Sequence, residues 1–204
     1  MKISSKNEPI KFCEREFFIK RTFEFFSNEK IDNIFIGDSL VSEAKSSKLF
    51  KLNYEIIAVA GATIDCSKIM LEYVDKIEPQ NIIIYLGGND ADGQSSYDSN
   101  KASEIYSKFV EDIKKIDSVS KIYLIGINKG LPSRRDANYV SNLNKNIKNL
   151  NDDMKVFYIE SFEELNFKQK DFNQLSYDGE HLKYLGYKKW FNYLNSYIPN
   201  FVKE

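Results

Sequence analysis

Only one histidine, one tryptophan, two cysteines and four prolines occur in the 204 residues. Cys13 and Cys66 stand in no C-x-x-C or metal-ligand spacing, and a domain of this size needs no staple to hold a core, so both are expected as free thiols. Charge of one sign is missing too: 29 basic side chains against 30 acidic ones leave a formal charge of −1, which provides no bulk field for nucleic acid or an anionic membrane. No apolar run approaches the roughly 20 residues needed to cross a bilayer, and the opening MKISSKNEPI lacks the apolar core of a signal peptide. These absences predict a cytoplasmic chain without stable membrane insertion, whose partner is recognised locally. There are no internal repeats or low-complexity tracts, so a single domain is expected.

Five short apolar runs are present, at 33–36 (NIFI), 55–60 (EIIAVA), 81–86 (NIIIYL), 121–127 (KIYLIGI) and 155–159 (KVFYI). They are rich in Ile, Val and Tyr and barely alternate, as strands buried on both faces of a parallel sheet do. Helical periodicity lies between them: Ile105, Phe109, Ile113 and Ile116 recur at steps of four and three, as do Val140, Leu143, Ile147 and Leu150. Tyr187, Trp190, Phe191, Leu194, Tyr197 and Ile198 form a wide aromatic stripe ahead of Pro199. Strands alternating with helices predict right-handed βαβ crossovers and a doubly wound α/β sandwich over residues 31–204. Residues 1–30 stand apart, with Phe12, Phe17, Phe18, Phe23, Phe25 and Phe26 among charged side chains and Pro9 placed to open a helix. They are expected as a helical extension packed on the domain, with a membrane-surface or substrate-contacting helix as the alternative.

In such sheets ligands collect outside the carboxyl ends of the strands. The first strand is followed by Gly37-Asp38-Ser39, the second by Gly61-Ala62-Thr63, the third by Gly87-Gly88-Asn89-Asp90, and the last helix is preceded by Asp178-Gly179-Glu180-His181-Leu182. Taken singly, each has a plain structural role: Asp38 or Ser39 as a helix cap, the glycines as turns, Asn89-Asp90 as turn chemistry. Together they supply a reaction. A serine attacks only when a base takes its proton, the base needs a fixed tautomer, and the resulting oxyanion needs donors in place. Ser39 can attack, His181 is the one imidazole able to serve as base, and Asp178 can hold its other nitrogen. The backbone N–H groups of Ser39 and Gly61 and the neutral side-chain amide of Asn89 can meet the oxyanion.

These four blocks, in this order, resemble those of the SGNH, or GDSL, hydrolases over about residues 30–195. The resemblance implies a flavodoxin-like three-layer α/β/α sandwich with a five-stranded parallel sheet, and ester hydrolysis without metal or cofactor. It implies Ser39 as nucleophile, His181 as base, Asp178 as its partner, and Ser39, Gly61 and Asn89 as oxyanion hole. The stretch from Arg15 to Val41 and the run EPQNIIIYLGGND are similar to the branch of platelet-activating factor acetylhydrolase catalytic subunits and bacterial acetylesterases, while YLGGND looks equally like the thioesterase and lysophospholipase branch. Ala58 and Ala62 depart from the polar residues many members carry there, which bears on loop rigidity and substrate choice.

The reading that follows is a serine esterase releasing an acetyl-sized group from an oxygen ester of a small molecule or glycan. Alternatives are transfer of the same acyl group to a sugar hydroxyl, or lysophospholipase or thioesterase activity. A non-catalytic binding module is disfavoured by the intact triad, and a nucleotide-binding domain by the absence of any G-x-G-x-x-G or P-loop spacing after a strand. For the substrate, Arg134 and Arg135 could hold a carboxylate or phosphate, or else be a solvated pair starting a helix. Tyr97, Tyr139 and Phe172 are candidates to line an acyl or sugar pocket.

Overall fold

Apolar runs without alternation can satisfy both faces only inside a sheet covered on two sides, and that is where the structure puts them. The computed structural model describes residues 33–46, 51–52, 55–116, 119–130, 134–165, 172–199 and 201–203. The proposed helical extension, residues 1–30, lies outside them. Strands β1 (Asn33–Gly37), β3 (Glu55–Ala58), β4 (Asn81–Tyr85), β5 (Lys121–Ile125) and β6 (Val156–Ile159) form one sheet in the order β3-β1-β4-β5-β6, every pair parallel. The order reverses at β1, so the carboxyl ends of β1, β3 and β4 open the crevice where a ligand belongs. This is the α/β architecture expected from the sequence.

The helices that connect the strands are α1 (Ser39–Ser46), α2 (Ser67–Ile77), α3 (Gly88–Ala91), α4 (Ser99–Ile116), α5 (Ala137–Lys148), α6 (Phe172–Leu175) and α7 (Tyr184–Asn195). Alternation divides the central strands between two layers. Phe35 and Tyr85 point toward α7, where Trp190 meets them with ring centroids 6.0 and 5.2 Å away. On this side Phe191 and Phe201 extend the aromatic cluster, their rings 5.5 Å apart. Helices α2, α4 and α5 pack side by side. The Tyr187 hydroxyl donates to the Leu40 carbonyl at 2.8 Å, which fixes the last helix against the first.

Three features differ from expectation. A two-residue antiparallel pair, β2 (Lys51–Leu52) with β7 (Val202–Lys203), was not foreseen, because two residues are too few to carry a period. The aromatic stripe stops at Leu194: α7 ends at Asn195, Tyr197 is 51% exposed, and Ile198 returns to the core through a turn before Pro199. Cys66 is disulfide-bonded rather than a free thiol. The size argument shows that a domain does not require a disulfide, not that its fold avoids one; Cys13 lies outside the described residues. Among the described residues no helix is long and apolar enough to cross a membrane.

Candidate active site

The crevice begins with a steric demand on Gly37. A Cβ there would press into Val41 and come within 2.6 Å of the Tyr85 carbonyl oxygen, so glycine lets α1 start directly against β4. Asp38 caps that helix: its Oδ1 accepts the Leu40 N–H at 3.1 Å and its carbonyl accepts the Ser42 N–H at 2.9 Å. Ser39 therefore sits in the first turn, 7% exposed, with its hydroxyl held at a fixed place.

The loop before α7 is tied by its own backbone. Ser176 and Leu182 pair as an isolated antiparallel bridge, and the buried Ser176 hydroxyl donates to the His181 carbonyl and accepts the Gly179 N–H, both at 2.8 Å. Gly186 lacks the Cβ that would collide with the Leu175 carbonyl, so α7 can begin close behind the loop. Asp178 Oδ1 accepts the N–H groups of Glu180 and His181 at 3.0 and 2.8 Å, which leaves Oδ2 for the imidazole. His181 Nδ1 lies 2.8 Å from that oxygen, and Nε2 lies 3.1 Å from Ser39 Oγ. A carboxylate only accepts, so Nδ1 carries the proton and the Nε2 lone pair faces the serine.

Electrostatics follow from this arrangement. Partial burial works against the imidazolium, but the Asp178 hydrogen bond and the charges of Glu43, Asp178 and Glu180 outweigh it and raise the His181 pKa above its ordinary value. Burial would raise Asp178, yet hydrogen bonds from His181 and the two backbone N–H groups bring it well below the carboxylate range, so it stays an anion. Glu43 Oε1, one turn along α1 from Ser39, is 3.8 Å from His181 Nε2.

Gly61 and Asn89 stand on two loops knitted together. Gly61 takes φ +77°, a conformation that side chains resist, and Gly87 takes φ +122° before α3. Asn89 is buried, donates from Nδ2 to the Ala62 carbonyl at 2.9 Å and accepts from Gln94 Nε2 at 3.0 Å. Its amide orientation is thereby fixed, and Nδ2 keeps a second hydrogen. Asp90 joins the same loops by accepting the Ile64 N–H at 2.9 Å. Gly88 is glycine for space instead of torsion, as its φ is not positive.

The two arginines are ion-paired instead of forming a solvated pair. Arg135 has a side chain only 2% exposed and is ion-paired to Glu180 and, at 3.2 Å, to Asp92. Its Nη1 donates to the Asn128 carbonyl at 2.8 Å. Burial of a guanidinium is tolerated only with such compensation, and removing one partner of a buried pair costs about 3–5 kcal/mol. Arg134 is 43% exposed and contacts Asp178 and Glu180 at 3.2 and 3.1 Å. Tyr97 and Tyr139 lie in an acidic neighbourhood, Tyr97 beside Asp65 and Tyr139 near Asp90 and Asp98. Phe172 opens α6, its side chain outside the described residues. Sequence reasoning missed Ser176, Gly186 and Tyr187, whose work is steric or backbone-directed and leaves no motif. It also missed Glu180, which was visible inside the DGEHL block.

The model of the GDSL-like lipase/acylhydrolase family matches residues 41–194, a span that includes Gly61, Asn89, Asp178 and His181 and begins two residues after Ser39. No curated protein sequence matches the chain. Among solved structures, a protein of Streptococcus pneumonia provisionally described as a platelet activating factor is similar with a TM-score of 0.73 and 21% identity, over 94% of this chain and 95% of that one. A GDSL-like lipase of Bacteroides thetaiotaomicron gives 0.68 and 18%, covering 89% and 96%. A family 3 carbohydrate esterase of Clostridium thermocellum gives 0.60 and 16%, covering 83% and 95%. At these identities the likeness is one of fold.

Proposed function

The chain belongs to the GDSL-like lipase/acylhydrolase family of carboxylic ester hydrolases, and we propose that it is a serine esterase hydrolysing a short-chain, acetyl-sized oxygen ester through an acyl intermediate on Ser39. The observation that carries this reading is the continuous chain of hydrogen bonds from Asp178 Oδ2 through His181 to Ser39 Oγ, at 2.8 and 3.1 Å. Ser39 Oγ attacks the ester carbonyl while His181 Nε2 takes its proton, and Asp178 stabilises the imidazolium. The tetrahedral oxyanion is met by the N–H groups of Ser39 and Gly61 and the Asn89 amide. Collapse expels the alkoxide, which His181 protonates, leaving acyl-Ser39. Water, deprotonated by His181, then attacks the acyl carbon and returns the free serine and a carboxylic acid.

The His181 side chain is 30% exposed, so an acceptor, water in this reading, can approach the acyl-enzyme from solvent. Support for a small acyl group comes from the sequence blocks, which resemble those of the acetylesterase branch. The test is a panel of p-nitrophenyl esters of increasing chain length, acetylated sugars and acyl thioesters, run on the native enzyme and on Ser39→Ala. The expected result is fastest turnover of acetyl esters, with a loss of roughly 10⁴- to 10⁶-fold in the variant. Full activity in Ser39→Ala would overturn the mechanism; acetylation of an added glycan outrunning hydrolysis would replace esterase by acyltransferase, and preference for long acyl chains or thioesters would replace the substrate class.

A further inference from the structure

Glu180 stands between Asp178 and His181 in the chain, yet its side chain turns away from the imidazole and is only 9% exposed. Its two oxygens are divided between consecutive residues of the segment after β5: Arg134 Nη1 reaches Oε2 at 3.1 Å, and Arg135 Nη2 holds Oε1. Arg135 is the fixed end of this arrangement, anchored on Asp92 and the Asn128 carbonyl with Asp38 close by. Arg134 is the free end. The same Nη1 lies 3.2 Å from Asp178 Oδ2, the oxygen that receives the His181 Nδ1 hydrogen bond.

From this geometry we infer that Glu180 is a positioning residue for the Asp178–His181 pair, acting as a clamp on the two arginines; the inference rests on the triad reading above. A buried ion pair could merely hold two loops together, but this one ends on the atom that orients the base. Arg134 Nη1 has two carboxylates to satisfy. While Glu180 takes a share of it, Asp178 Oδ2 keeps its lone pair for the imidazole; without Glu180, the guanidinium competes with His181 for that oxygen. The Arg135 anchor sets the distance at which this sharing occurs, and small displacements of a catalytic group have large effects on rate.

The groups around His181 give the idea a readout beyond stability. Asp178 and Glu180 act from its own loop, Glu43 and Ser39 from α1, Asp38 from beneath the nucleophile, and Arg134 through Asp178. Glu180→Gln removes an anion, so the acid limb of the pH–rate profile moves to lower pH, and kcat falls about 10- to 100-fold at unchanged KM. Arg134→Gln removes a cation, so its acid limb moves to higher pH. Glu180→Asp keeps the charge but cannot span both arginines, so its limb stays at the native position while kcat recovers only in part. Rates are normalised to sites titrated with a fluorophosphonate at Ser39, which discounts unfolded protein. Limbs that do not move, or that move in the same direction in the two glutamine variants, would overturn the clamp, as would a kcat loss that vanishes on normalisation. Should Glu180→Gln fail to fold, the exposed Arg134→Gln carries the test, its shift to higher pH being required. Native activity in Ser39→Ala strikes at the proposed function instead; an inactive Ser39→Ala with unmoved limbs strikes at the clamp alone.

Discussion

Gly88 makes room for Arg135: a Cβ built on Gly88 would lie 2.6 Å from the guanidinium Nη2 and 3.2 Å from Asp38 Oδ2. The guanidinium cannot swing aside, because Glu180, Asp92 and the Asn128 carbonyl hold its nitrogens. Gly88→Ala is therefore expected to destabilise the fold by about 1–3 kcal/mol, the usual range for overpacking, read as a lower urea midpoint at unchanged slope. An unaltered midpoint would mean that the arginine relocates freely.

This pair also marks where sequence reading stops. Buried strands were legible because Ile, Val and Tyr runs such as 81–86 have no solvent-facing period. The meeting of Ser39, Asp178 and His181 was legible because acyl transfer restricts the residue types able to do each job, and only one imidazole exists. Arg135 was not, since SRRD in a polar loop reads as solvated charge. Its burial depends on carboxylates at positions 38, 92 and 180 and on a missing Cβ at 88, none of them neighbours in sequence. Ser176 is the same kind of case: its hydroxyl shapes the loop by bonding backbone groups, a role any polar loop residue could fill.

In the proposed mechanism the Asn89 amide meets charge that develops only in the transition state and two backbone donors remain without it, so Asn89→Ala should lower kcat by about 10²- to 10³-fold with little change in KM. The Asn89 bonds to Ala62 and Gln94 also join loops, so a thermal melt must accompany the kinetics. A fall in kcat far larger than the loss of folded protein marks the donor role, whereas a proportional fall marks a scaffold role.

His181 must be neutral to accept the serine proton, so the rate falls as pH drops through its pKa, and the surrounding carboxylates place that midpoint above the ordinary histidine value. Glu43→Gln takes away one of those anions, 3.8 Å from Nε2, and the midpoint should move to lower pH. The Glu43 side chain is 43% exposed, so solvent screens it and the shift should be smaller than that of a buried group. Profiles of kcat/KM between pH 5 and 9 for both proteins decide the matter; coincident profiles would remove Glu43 from the electrostatics of the base.

Asp38 offers a test with the opposite sign. Burial pushes its carboxyl up to about 7, against the pull of Arg135 and the Leu40 N–H, and its Oδ2 has no hydrogen-bond partner. The unfolded chain releases this proton near the ordinary aspartate value, whereas the folded protein keeps it to near neutrality. Between those values the native state binds more protons, so the Asp38 contribution to stability declines as pH rises. Asparagine keeps the acceptor for the Leu40 N–H and cannot ionise. The unfolding free energy of Asp38→Asn relative to the native protein should thus rise from pH 4 to pH 7, by on the order of 3 kcal/mol, and level off above that. Urea titrations across this range measure it directly. A constant difference would mean that Asp38 is ionised throughout, with Arg135 compensating its burial in full.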